Sequence, residues 1–259
     1  MLLAVDIGNT NVVLGVFDND TLLFRWRLDS HTRRTEDEWL VLLQTLFSNA
    51  NLVFSDITGV AISSVVPGVT PFFVDLSRNH FIIEPLVISS DLDLGIAIKY
   101  DDPAAVGADR LCNAIAGYDL YGGPLIIIDF GTATTYDIIS GRGEYLGGII
   151  APGVETAGRH LHALAAKLPS VELKFPERII ATNTERSIQV GIMYGTVASV
   201  EGIVSRIKNE LNEQTTVIAT GGIAPLIIEK TSIIDHYEPD LTMIGMEKIY
   251  KKVGKFTQN

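Results

Sequence analysis

A short Asp-x-Gly turn dressed with amide and hydroxyl side chains occurs twice in this chain, as Asp6-Ile7-Gly8-Asn9-Thr10-Asn11 and as Asp129-Phe130-Gly131-Thr132-Ala133-Thr134-Thr135. Aligning Asp6 with Asp129 gives an offset of 129 − 6 = 123, and Gly8 with Gly131 gives 131 − 8 = 123, close to half of the 259 residues. Each turn follows an apolar run, Leu2 to Val5 or Leu125 to Ile128, and precedes a second β-prone run, Val12 to Phe17 or Tyr136 to Ile139. Strand, sharp turn, strand is the order such a pattern predicts, with glycine permitting backbone geometries and close approaches that other residues resist. A single hairpin with a polar tip would explain one copy, but hairpin chemistry gives no reason for a second copy at half the chain. Backbone N–H groups and hydroxyls in such turns suit a phosphate, and the carboxylates suit its metal. Two facing turns would form a nucleotide cleft.

Composition narrows the function classes. With 47% hydrophobic residues in 28.2 kDa, the chain buries enough for one large or two modest domains, and the repeat favours two. The net charge, 20 − 31 = −11, disfavours a nucleic-acid partner and an anionic membrane surface. One cysteine, Cys112, excludes an internal disulfide and a cysteine-rich metal cluster. The opening Met1-Leu2-Leu3-Ala4-Val5-Asp6 has no basic n-region and meets a charge too early for a secretory signal. No apolar stretch approaches a membrane span. The expectation is a soluble cytoplasmic protein with neither a nucleic-acid nor a membrane partner.

Along the chain, Leu22 to Leu28 predicts a third strand, and Thr35-Glu36-Asp37-Glu38 matches a capping box. Trp39, Leu42, Leu43, Leu46 and Phe47 follow it at helical spacing. Gly59 to Val66 reads as a strand ending at Pro67, Pro71 to Arg78 as a short helix and Pro85 to Ser89 as a strand, so the first half is β-β-β-α-β-α-β. In the second half the hairpin returns, followed by a helix from Val154 to Lys167, glycine-interrupted helical patterns over Ser187 to Leu211, a strand at Thr216 to Ala219 and a last helix over Met243 to Lys252.

The densest polar constellation is Tyr100-Asp101-Asp102-Pro103-Ala104-Ala105-Val106-Gly107-Ala108-Asp109-Arg110. Asp102-Pro103 starts a helix or turn. Adjacent Asp109 and Arg110 suit a small polar substrate, the acid as acceptor of a hydroxyl proton and the guanidinium as anion clamp, although a helix-terminal ion pair has the same spacing. Asp6 and Asp129 are candidates for organising cations, with Asp129 also able to accept bonds from its own turn. Gly221-Gly222 after a strand either admits a flat ligand group or makes a turn. Cys112 reads as a packing residue, since no neighbouring histidine activates it. His160 and His162 diverge at i and i+2 on a helix, which argues against shared metal ligation.

These residues together resemble the type III pantothenate kinases, within the actin, sugar-kinase and Hsp70-like ATPase superfamily. The resemblance runs from the Asp6 turn through Gly107-Ala108-Asp109-Arg110 and the Asp129 turn to Gly147-Gly148-Ile149-Ile150-Ala151-Pro152-Gly153. It implies an α/β fold of two duplicated ribonuclease H-like domains, residues 1–118 and 119–259, each a mixed five-stranded sheet with flanking helices, around a central nucleotide cleft. The implied activity is ATP-dependent phosphorylation of pantothenate to 4′-phosphopantothenate, the first step of coenzyme A biosynthesis, in a cytoplasmic homodimer. By the same resemblance Asp109 matches the proton acceptor, and Tyr100, Gly107, Ala108, Asp109, Arg110 and Thr184 match pantothenate-contacting positions. Asp6, Ile7, Gly8, Asn9, Thr10, Asn11, Val12, Val13 and Thr132 match ATP-binding positions. Asp129 matches the ligand of a monovalent cation, K⁺ or NH₄⁺, and Mg²⁺ accompanies ATP with Asp6 as its candidate ligand. Another small-molecule kinase of the superfamily and a transcriptional accessory protein of the same family are the alternatives.

Overall fold

A computed structural model of the chain describes residues 1–30, 34–165 and 167–254. The repeat in the sequence is a repeat in the fold. Strands β1 (Leu2–Ile7), β2 (Asn11–Asp18), β3 (Thr21–Asp29), β4 (Gly59–Ser64) and β5 (Leu86–Val87) form one sheet in the order β3-β2-β1-β4-β5. Strands β6 (Leu125–Phe130), β7 (Ala133–Ile139), β8 (Tyr145–Pro152), β9 (Thr216–Thr220) and β10 (His236–Tyr237) form another in the order β10-β9-β6-β7-β8. In both, the opening strand pairs antiparallel with the next and parallel with the fourth, so the two sheets have the same wiring.

Burial follows position in the sheet. β1 and β6 are central, covered on both faces, and their sequences are unbroken apolar runs up to the acid, as parallel-paired central strands require. β3 is an edge strand, and Leu22, Phe24, Trp26 and Leu28 alternate with the exposed Thr21, Leu23, Arg25, Arg27 and Asp29. The buried face stacks Phe24 on Trp26 at 5.6 Å between ring centroids. Helix α1 (Glu36–Asn49) lays Trp39, Leu43 and Phe47 on that core. Its capping box forms as the sequence predicts: Glu38 N donates to Thr35 Oγ1 at 3.3 Å and Thr35 N donates to Glu38 Oε2 at 2.7 Å. Thr35→Ala removes one cap bond and is expected to cost about 1 kcal/mol, read as a lower thermal midpoint.

The first half holds to β-β-β-α-β-α-β, with α2 at Thr70–Leu76 and β5 reduced to two residues. Four differences mark the rest. Helix α3 (Ala108–Tyr121) and strand β8 do not stand out in the local pattern. Helix α4 spans Val154–Leu164, three residues short of the predicted end at Lys167; residue 166 lies outside the described residues. Helix α5 runs unbroken over Thr184–Leu211, so Gly191, Gly195 and Gly202 do not interrupt it. By length and mean hydropathy α5 could cross a membrane, contrary to the reading that no stretch approaches a span. Its Ile188, Ile192, Met193, Val197, Val200, Val204 and Ile207 are nevertheless buried in the core with β6, β7 and β9, although only 33% of the apolar window is buried. Short α6 (Ala224–Ile228) follows β9, and α7 (Leu241–Gly254) closes the described chain.

The chain divides into two compact units. The first comprises Met1–Ile96, Tyr100–Ala116 and the stretch from Leu241; the second comprises Ala97–Lys99 and Gly117–Asp240. Halving the sequence at 118/119 leaves α7 with the second repeat, whereas its packing against β1 and β4 places it in the first unit.

Candidate functional site

In the first unit, Asp6 stands near the end of β1, where the chain must reverse into β2. Gly8 N donates to Asn11 O at 2.9 Å and closes the turn. A Cβ on Gly8 would lie 3.2 Å from that same oxygen, so the tightness of the turn favours glycine. Asn9 is exposed at the tip, Thr10 is half-buried, and Val12 is buried at the start of β2 while Val13 is half-buried. β4 runs parallel to β1 with Ser63 opposite Asp6, and Ser63 Oγ donates to Asp6 Oδ1 at 2.9 Å.

Asp109 sits in the first turn of α3. The run-up is a 3₁₀ turn, Pro103–Ala105, whose N-cap Asp102 accepts from Ala104 N at 3.1 Å. Gly107 then passes so close that a Cβ there would meet Asp109 Oδ1 at 2.5 Å and Val65 Cγ1 at 3.4 Å. Burial pushes the Asp109 carboxyl above the ordinary carboxylate range, partly opposed by the Arg110 N–H, which donates to Oδ1 at 2.8 Å, and by the Arg110 guanidinium. Arg110 is itself only 6% exposed, and Tyr100 is half-buried. Cys112, one turn on, is fully buried; burial and then the charges of Asp6 and Asp109 push its thiol far up. The thiol is therefore a neutral packing group, as its sequence context suggests. Asp6 and Asp109 thus both act electrostatically on the same buried thiol.

In the second unit Asp129 ends β6 as Asp6 ends β1. Gly131 N donates to Ala133 O at 3.1 Å, closing the turn into β7. The turn is tied to the start of α4, since Gly153 N and Thr156 Oγ1 both donate to Thr132 O, at 3.2 and 2.7 Å. A Cβ on Gly153 would lie 2.4 Å from the carbonyl oxygens of Gly131 and Thr132. Gly221, with φ +93, brings the end of β9 onto the same turn, where a Cβ would meet Phe130 O at 2.6 Å and Asp129 Oδ1 at 2.7 Å. Gly221 of the Gly221-Gly222 pair therefore serves the Asp129 turn. Thr184 is exposed in the first turn of α5, after Asn183, whose Oδ1 accepts from Arg186 N at 2.9 Å.

Asp6 is thus joined with Gly107, Ala108, Asp109 and Arg110 in one unit, and Asp129 with Thr132 in the other; Thr184 belongs to the second unit. Sequence reasoning missed Ser63, whose partner is 57 residues away. His160 and His162 are exposed on α4, and His162 Nδ1 lies 2.7 Å from Leu168 O. Among the described residues no three His, Cys, Asp or Glu side chains gather as a metal cluster. The Asp129 carboxylate and Phe130 carbonyl, kept clear of a side chain by Gly221, form an oxygen-only cradle, which fits a hard cation. Asp6 offers a single carboxylate, which fits an ion that keeps waters and phosphate oxygens as its other ligands.

Two matching sheets, each opening with a strand, a glycine turn and a terminal acid, define the actin-like ATPase and sugar-kinase fold. The activator of 2-hydroxyisocaproyl-CoA dehydratase from Clostridium difficile, solved with bound ADPNP, superimposes with a TM-score of 0.57 at 14% identity over 100% of this chain and 98% of that one. The ROK hexokinase from Thermus thermophilus gives a TM-score of 0.51 at 12% identity over 97% and 99%. Sequence comparison resolves the class to a family. The type III pantothenate kinase family profile matches residues 2–206, and the type III pantothenate kinase of Geobacillus kaustophilus is 48% identical over 252 residues, 97% of this chain and 98% of the relative. The chain belongs to the type III pantothenate kinase family. An ATP-dependent kinase family implies a divalent metal ion delivered with the nucleotide.

Proposed function

We propose that this protein transfers the γ-phosphoryl group of ATP to the terminal hydroxyl of pantothenate, giving 4′-phosphopantothenate at the entry to coenzyme A biosynthesis. The observation that carries the reading is Asp109, a desolvated carboxylate beside a buried arginine in the G-A-D-R segment of a chain that belongs to this family.

Phosphoryl transfer asks the protein chiefly for in-line positioning and charge neutralisation, with little covalent work. The Asp6 turn, from Asp6 to Val13, and Thr132 of the Asp129 turn receive the nucleotide through backbone N–H groups and hydroxyls. Asp109 accepts the hydroxyl proton as the phosphoryl group arrives; its raised basicity favours that step, and Arg110 N–H fixes the carboxylate. Arg110, with Tyr100, Gly107, Ala108 and Thr184, holds the pantothenate, whose carboxylate a guanidinium matches in charge and shape. Asp6 would hold Mg²⁺, and Asp129 with the Phe130 carbonyl would hold K⁺ or NH₄⁺. These ions supply positive charge against the phosphates. The working form in this reading is a cytoplasmic homodimer of two-domain chains, with no nucleic-acid partner.

The test is ADP release from Mg·ATP with and without pantothenate, in K⁺ and in Na⁺ buffers, with the product weighed by mass spectrometry. Pantothenate-dependent release with 4′-phosphopantothenate as product is expected, several-fold faster in K⁺. Asp129→Ala is expected to lose that salt preference. ADP release that ignores pantothenate in both salts overturns the reading and points to another acceptor.

A further inference from the structure

The buried hydroxyl of Ser63 has no place in the roles above. Ser63 is 0% exposed, lies on the parallel neighbour of β1 directly opposite Asp6, and donates to Asp6 Oδ1 at 2.9 Å. A hydroxyl has one proton to give, and an ionised carboxylate only accepts, so the Ser63 proton points at Asp6.

The second unit repeats the placement. Thr220, 3% exposed, stands opposite Asp129 on the parallel neighbour of β6, as Ser63 stands opposite Asp6. Both copies set a buried hydroxyl residue beside the strand-end acid, at positions where an apolar side chain would otherwise suit a central sheet. A core hydroxyl brings a desolvation cost that a hydrogen bond only offsets, so packing alone does not account for one in each copy.

We infer that Ser63 is a positioning residue, whose hydroxyl holds the Asp6 carboxylate in the orientation that meets the divalent cation of the bound nucleotide. The inference rests on the proposed role of Asp6. Partners that orient a metal-binding carboxylate in this way are typically worth tenfold or more in metal affinity.

Calorimetric titration of ADP, with Mg²⁺ and with EDTA, into the full-length protein tests it. Ser63→Ala is expected to weaken Mg·ADP binding about tenfold and to leave metal-free ADP binding nearly unchanged. Ser63→Thr keeps the hydroxyl on a strand-compatible side chain and is expected to bind Mg·ADP like the parent. Cys112→Ala leaves the Ser63 to Asp6 bond in place and is expected to lower the melting temperature without changing Mg·ADP affinity. If Ser63→Ala binds Mg·ADP like the parent, or Ser63→Thr binds it as poorly as Ser63→Ala, the inference is overturned. Asp6→Asn separates the two readings: parental Mg·ADP affinity in that variant removes Asp6 from metal binding. Weakened affinity there, with Ser63→Ala unaffected, removes only Ser63.

Discussion

Asp109→Asn is expected to lower pantothenate-dependent turnover about 10²- to 10⁴-fold, the usual contribution of a positioned general base, while Mg·ADP binding stays near the parental value. The amide keeps the size of the carboxyl and retains an oxygen that can accept from Arg110 N, now at 2.8 Å, so the start of α3 has no reason to move. What is lost is the basic lone pair. Stability should move the other way. Burial raises the Asp109 pKa above its ordinary 3.8, so the ionised group opposes folding once the pH exceeds the raised value, and the penalty vanishes below the ordinary one. Asn carries no charge to desolvate. The variant should therefore melt at or above the parent at neutral pH, with the advantage shrinking as the pH falls through the carboxylate range. Denaturation curves at several pH values, beside steady-state rates, check both halves. A variant that loses activity together with stability would mean that Asp109 serves the fold, and one that turns over normally would remove it from proton transfer.

The duplicated strand-turn-strand unit was legible because its signal is local: an apolar run, an acid and a glycine turn occupy about a dozen consecutive residues in each copy. The capping box at Thr35 was legible for the same reason. Helix α3 was harder. It contributes Leu111, Cys112, Asn113, Ala114 and Ala116 as buried residues, mostly small, so it lacks the bulky stripe that marks α1. Strand β8, with Gly147 and Gly148 at its centre, lacks the β-branched run of a typical strand. Candidate site residues could be named from the sequence, but their geometry only in part. Ser63 follows Asp6 by 63 − 6 = 57 residues, whereas Thr220 follows Asp129 by 220 − 129 = 91, because the second copy carries α4 and the long α5 between its paired strands. That insertion breaks the constant offset of 123, so the matching hydroxyls do not align in the sequence. Only the sheet register brings them into correspondence.

Gly245→Ala illustrates the same limit and is expected to be the most destabilising single methyl group in the first unit's helices. Nothing in the sequence around Gly245 sets it apart from an ordinary helical glycine, where alanine would normally help by up to about 1 kcal/mol. In the fold, α7 crosses the backbone of α3 at that point: a Cβ on Gly245 would lie 2.1 Å from Cys112 O and 2.5 Å from Cys112 C. Those atoms are main chain, so no rotamer change relieves the clash and one helix must shift. Nearby, Thr242 Oγ1 donates to the buried Asn113 Oδ1 at 2.8 Å, a bond that depends on the same close approach. Overpacking of this kind costs about 3 kcal/mol, far more than the gain in helix propensity. For a chain of this size that corresponds to a fall of roughly 6–12 °C in thermal midpoint. The shift also reaches Asp109, one turn before Cys112 on α3, so turnover per folded molecule should drop as well. Gly245→Ala should therefore lose both stability and activity, whereas Asp109→Asn loses activity alone. Thermal melts and active-site-normalised rates on the two variants together distinguish the seating of α3 from the chemistry it carries, and a Gly245→Ala protein that melts like the parent would mean that the α3 and α7 backbones do not approach as closely as 2.1 Å implies.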